Sequence, residues 1–171
     1  IILLAIHQNQ PRLLSLKEML HLFLQHRKEL VTRRSLFELK KAEARAHILE
    51  GLKKAIDQID AIITTIKASK TPKEAKDRLI DRFALSEEQA QAILDMRLQR
   101  LTSLEQRKIV EEYEETIKLI NRLKALLASE RLMLNLIKEE FISLRDAYGD
   151  ERRTEIVETA PEIRVEDLFA E

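Results

Sequence analysis

SLKEMLHLFLQHRKELVTRRSLFELKKAEARAHILEG, residues 15–51, contains no proline and meets its first glycine only at its last position. A run this long without a breaker reads as one helix. Ser15 with Glu18 three residues later forms a capping box, in which hydroxyl and carboxylate each satisfy a backbone N–H that the first turn leaves unpaired. Leu16, Leu20, Phe23, Leu30, Phe37, Ala44 and Ile48 then recur with a seven-residue logic, with Arg27, Arg34 and Lys41 at the intervening positions. A narrow stripe interrupted by cations suits one partner helix rather than a thick core. If unbroken from Leu16 to Glu50, this helix is roughly 50 Å long at about 1.5 Å per residue. A single helix gains little stability alone, so a returning partner is expected.

The partner follows Leu104. Ile109, Tyr113, Ile117, Ile120, Leu123 and Leu127 make one stripe, and Met133, Ile137, Phe141, Leu144 and Tyr148 make another. Ser129, a capping residue, marks a joint between them. Gly149 reads as a left-handed residue ending the helix. Residues 15–50 and 105–149 are thus the two arms of an antiparallel coiled-coil hairpin, and 51–104 is its tip. The expected class is all-α, with a small helical bundle at the tip and short β segments at the termini, 1–14 and 150–171.

Within the tip, Leu52, Ile56, Ile59, Ile62, Ile63 and Ile66 give an apolar helix, and Thr71-Pro72-Lys73-Glu74 starts a further one ending near Phe83. Leu85 to Glu105, LSEEQAQAILDMRLQRLTSLE, opens on a second capping box, Ser86 with Gln89, and closes on Thr102 with Glu105. Ala90, Ile93, Leu94, Leu98 and Leu101 share one side of a helix expected to stop near Leu101. So small a bundle buries its apolar faces poorly, and the surplus predicts self-association.

Composition excludes much. Only 2 Gly, 3 Pro and 5 Phe occur, with no Trp, the profile of long helices. The absence of cysteine removes disulfides, thiolate metal sites and thiol nucleophiles. Thirty basic and 30 acidic residues cancel, so any draw toward nucleic acid must be local. Ile1 to Ile6 is apolar but far short of a bilayer span and lacks the marks of a signal peptide, so neither a membrane span nor secretion is expected. It reads as a strand cut from a larger body, its partner missing or supplied by Thr154 to Val157.

Several stretches together resemble the A subunits of bacterial DNA gyrase, within the type IIA DNA topoisomerases. QAQAILDMRLQRLT at 89–102 is similar to a specific signature of those proteins, and QPRLLSLKEML at 10–20, HRKELVTRRSLFELKKAEARAHILEGL at 26–52 and GDERRTEI at 149–156 agree in the same order. Ser103 stands where such proteins usually have glycine, and the link from Arg82 to Ser86 is short, as in members lacking a long insertion. The corresponding polypeptide of topoisomerase IV is the near neighbour; the QRLT wording favours gyrase. The resemblance implies a cytoplasmic bacterial enzyme that passes one double-stranded DNA through another and introduces negative supercoils using ATP. It also implies that the cleaving tyrosine lies upstream, that ATP and Mg are handled by the gyrase B polypeptide, and that this segment has no cofactor or cleavage chemistry of its own. Its part is a homodimer contact at the tip, the exit gate for DNA.

On that reading Ile93, Leu94, Met96, Leu98, Leu101 and Leu104 are the dimer-interface candidates, with ordinary intrachain core as the competing assignment. Arg27, Lys28, Arg33, Arg34, Lys40, Lys41 and Arg45, with Arg152 and Arg153, are candidates for lining a DNA cavity, since Lys and Arg hold phosphate without reading sequence. Glu29, Glu38 and Glu43 interleave with them, so a solvated coil surface competes with that assignment too. Tyr113 and Tyr148 sit on apolar stripes and read as packing residues. His47 with Glu43 and Glu50 has helical spacing but reads as an ordinary helix face rather than a metal site. A non-enzymatic coiled-coil adaptor shares the hairpin pattern, but it does not need the capped tip.

Overall fold

This computed structural model describes residues 2–97, 102–154 and 156, and of Ser103 the backbone alone. The chain divides into two units, Ile1–Ile137 and Lys138–Glu171. The first begins with a two-stranded antiparallel hairpin, β1 (Leu4–His7) and β2 (Gln10–Leu13), with Leu4 opposite Leu13 and His7 opposite Gln10. Gln8 and Asn9 between them both have positive φ, 52° and 61°, as a two-residue turn matched to strand twist requires. The first strand therefore finds its partner in the next segment, which corrects the expectation of a missing one. Glu155 and Val157 of the other proposed partner lie outside the described residues.

Helix α1 (Leu16–Asp57) is 42 residues long, about 63 Å at the usual rise. Its capping box is formed: Ser15 N–H donates to Glu18 Oε2 at 2.7 Å, and Glu18 N–H to Ser15 Oγ at 3.3 Å. It passes straight through Gly51, so Leu52 and Ile56 belong to it. The break comes at Gln58 (φ −126°, ψ 35°), before α2 (Ile59–Lys67). The chain continues through α3 (Pro72–Phe83), α4 (Glu87–Leu94), α5 (Ser103–Ala128) and α6 (Glu130–Tyr148). Ser129 separates the last two, its hydroxyl accepting from Leu132 N–H at 3.4 Å, the joint read from sequence.

The pairing of α1 with the return arm is antiparallel. Leu49 packs in one core with Ile109, Ala42 and Ala46 pack with Ile120, and Val31 packs with Met133 and Ile137, so partner numbers rise as α1 numbers fall. This seam is not the stripe expected from sequence. Val31, Ser35, Ala42, Ala46 and Leu49 face inward, whereas Leu16, Leu20, Phe23, Leu30, Phe37 and Ala44 are exposed and Ile48 is half-buried. Small residues let two helix backbones approach closely, and the large side chains that dominate the sequence pattern were read as the seam for their size alone.

At the tip, Leu49, Leu52 and Ala55 of α1 share a core with Ile62, Leu79, Leu85, Ala90 and Ile93 and with Ile109 of α5. Thr71 caps α3 by accepting from Glu74 N–H at 3.1 Å, with Pro72 in the first turn. α4 ends at Leu94, capped at Asp95, and not near Leu101. Thr102 caps α5 without a side-chain cap bond, so the second capping box of this stretch is absent. In the second unit, Gly149 does not adopt positive φ; a Cβ there would lie 2.4 Å from the Arg145 carbonyl oxygen, so the demand on glycine is for space. Tyr148 is 81% exposed, not packed as its stripe implied.

Two substitutions test this account. Gly51→Ala ordinarily favours a helix interior by about 1 kcal/mol. Here the new Cβ would meet Gln89 Cβ and Cγ at 2.7 Å, and overpacking costs about 1–3 kcal/mol. Urea unfolding should therefore show a net destabilisation of up to about 2 kcal/mol, and a gain would refute the contact. Ala84, which ends α3 at φ 50°, ψ 48°, carries the left-handed penalty of about 1–2 kcal/mol. Ala84→Gly should raise the unfolding midpoint.

Candidate functional site

A buried amide joins the apolar core in tying the tip to the arm. Gln89, the third residue of α4, is only 3% exposed. Its Oε1 accepts from Ser86 N–H at 3.0 Å, completing the capping box, while its Nε2 donates to the His47 carbonyl at 2.7 Å. In an α-helix that carbonyl is also the acceptor for the N–H of residue 51. Glycine at 51 leaves the gap through which the amide reaches it. His47 itself turns Nε2 to Ser86 Oγ at 2.7 Å, so the ring sits against the α4 cap rather than between Glu43 and Glu50. The sequence flagged Gln89 as a cap; its second bond, to another helix, has no local signature.

This anchoring sorts the interface candidates. Ile93 is fully packed in the tip core, as is its neighbour Ala90. Leu94 and Met96 are half-buried and pack against that core. Leu104, 66% exposed at the start of α5, offers the most uncovered apolar surface among the described members of the set. Leu98 and Leu101 lie outside the described residues. A cleft of about 510 Å³ is lined by Ile48, Leu52 and Met96 together with Arg45, Asp95 and Glu105. Tyr113 is half-buried against the tip core under the Lys53 ammonium, 5.4 Å from its ring centroid, which is a packing role.

The cation candidates divide as well. Arg45 holds Glu112 of α5 through Nε at 2.7 Å and Nη2 at 2.6 Å, and Lys28 holds Glu130 at the start of α6. Both fasten the arms to each other. Arg33 and Arg34 are exposed, Arg33 with Glu29 at 3.9 Å, and Lys40 and Lys41 are exposed with no carboxylate at ion-pair distance among the described residues. Arg27 is half-buried. In the second unit, Arg153 pairs with Asp150 at 3.0 Å and Arg152 Nε donates to the Thr154 carbonyl at 2.7 Å.

Three exposed carboxylates are held below their ordinary range. Glu130 is lowered by the hydrogen bond and charge of Lys28, Glu87 by those of Lys76, and Glu18 by the bonds from Ser15. A carboxylate depressed in the folded state contributes stability above its unfolded pKa and loses it as pH falls through the folded one. Melting temperature should therefore fall on acidification below the normal carboxylate range. Glu130→Gln should flatten that acid limb slightly while leaving the neutral-pH melt nearly unchanged, because exposed pairs contribute little.

Comparison with known proteins places this arrangement. The profile of the family that comprises the A subunits of DNA gyrase and topoisomerase IV matches residues 1–142. The chain is 51% identical over 170 residues to the DNA gyrase A protein of Helicobacter pylori strain J99, covering 99% of this chain and 20% of that protein. It is 49% identical over 169 residues to that of Clostridium acetobutylicum, covering 99% and 20% respectively. With that of Staphylococcus aureus strain MRSA252 it shares 52% over 154 residues, 90% of this chain and 17% of the relative. The chain thus spans about one fifth of the length of these relatives. With its helical hairpin and capped tip, and with about half its residues shared with each of these proteins, the chain belongs to the DNA gyrase/topoisomerase IV family of A subunits.

Proposed function

We propose that this chain is the arm and exit-gate segment of a gyrase A protein, and that it joins two copies tip to tip. The observation that carries the reading is a long α1 paired antiparallel with α5, ending in a separately cored tip that leaves Leu104 exposed and Leu94 and Met96 half-covered. A two-fold contact makes the same patch serve both copies, so even a small apolar surface is used twice. The tips hold the two copies together while one duplex is open and part to let the other leave. The arms contribute reach and stiffness. Cleavage, ATP and Mg belong to other parts of the assembly, the last two to the gyrase B polypeptide, and the segment acts mechanically.

The test is oligomeric state. Light scattering of the 171-residue chain across a dilution series should show a dimer at high micromolar concentration that dissociates on dilution. Leu104→Glu should shift it to monomer with unchanged helical circular dichroism. A strict monomer throughout would defeat tip-to-tip association.

A further inference from the structure

Residues three, four and seven apart share one side of a helix. Phe37 on α1 therefore has Arg33 and Arg34 one turn before it, Lys40 and Lys41 one turn after it, and Leu30 and Ala44 two turns away. This side points away from the seam: Phe37 is 70% exposed, Leu30 is 38% exposed, and all four cations are exposed. Of the acids interleaved in sequence, Glu43 reaches across to Lys124 of α5 at 2.8 Å, Glu29 comes no nearer than 3.9 Å to Arg33, and Glu38 is exposed one residue after Phe37. The apolar interval continues toward the N-terminus through Phe23 and Leu16. α1 thus carries two seams, one of small residues used by α5 and one of large residues flanked on both sides by positive charge.

Duplex DNA would use the cations, but phosphate contact has no use for an aromatic ring and a leucine at seven-residue spacing. A second helix uses both, because apolar residues at that interval insert between its own and flanking charges select the partner by sign. We propose that the Leu30–Phe37 face of α1 docks an acidic amphipathic helix of a partner protein, with apolar residues every seven positions and carboxylates opposite Arg33, Lys40 and Lys41. The face lies on the arm and does not involve α4 or Leu104, so it stands independently of the gate.

The 171-residue chain would be titrated against three fluorescein-labelled probes, read by anisotropy. The first is a three-heptad peptide with Leu at the apolar positions and Glu at the flanking ones, the second the same peptide with Lys for Glu, and the third a short DNA duplex. The acidic peptide should bind and the basic one should not. Phe37→Ala should weaken binding by about tenfold or more, as loss of a central aromatic anchor does. Lys40→Glu with Lys41→Glu should reverse the preference between peptides, and both variants should keep the parent circular dichroism because the side chains are exposed. The proposal is overturned if the acidic peptide fails to bind, if Phe37→Ala leaves its binding unchanged, or if the duplex is the only probe that responds to the lysine changes.

Discussion

The approach of α4 to α1 at Gly51 and Gln89 is the constraint on which the tip depends. One side-chain amide, itself buried, caps its own helix with its oxygen and grips the backbone of another with its nitrogen. A buried amide with one partner removed costs about 1–3 kcal/mol, against about 0.5–1.5 kcal/mol that the bond contributes net when made. The geometry is therefore held tightly once formed. It also requires that residue 51 have no side chain, which is why a glycine sits inside a long helix where it weakens local propensity.

Packing outweighs charge along the arms. Removing Leu49, wholly buried between arm and tip, belongs to a class of change costing about 2–5 kcal/mol. Exposed pairs such as Lys124 with Glu43 contribute about 0–1 kcal/mol each. The ion pairs between α1 and the return arm, Lys28 with Glu130 and Arg45 with Glu112, join groups that face one another only in this register. The small-residue seam has a further consequence: it leaves the bulky side chains of α1 on the outside, so the arm keeps an apolar face that its own partner does not cover.

How much of this was legible beforehand differs by element. Ser15, Thr71 and Ser86 announce their helices because a cap is a local bond among three or four residues, and Ser129 announces its joint for the same reason. The hairpin of arms follows from length and periodicity. The choice between two apolar stripes on α1 does not: the sequence favours large residues, while packing used Ser35, Ala42 and Ala46. Tyr148 departs from its stripe for a related reason, since a helical wheel assigns sides without saying how far the partner extends. Leu104 was named with five other candidates, and only the core's boundary separates it from Ile93.

By itself, then, the sequence determined the helical class, the helix starts, the joint at Ser129 and the family, because each rests on local bonding or on words of sequence. Only the tertiary structure decided the inward face of α1, the partner of the first strand, the purpose of Gly51 and the division of cations between fastening the arms and facing outward. Those depend on which surfaces meet, and residues far apart in the chain, such as Gly51 and Gln89, or Lys28 and Glu130, carry no mark of one another until the chain has folded.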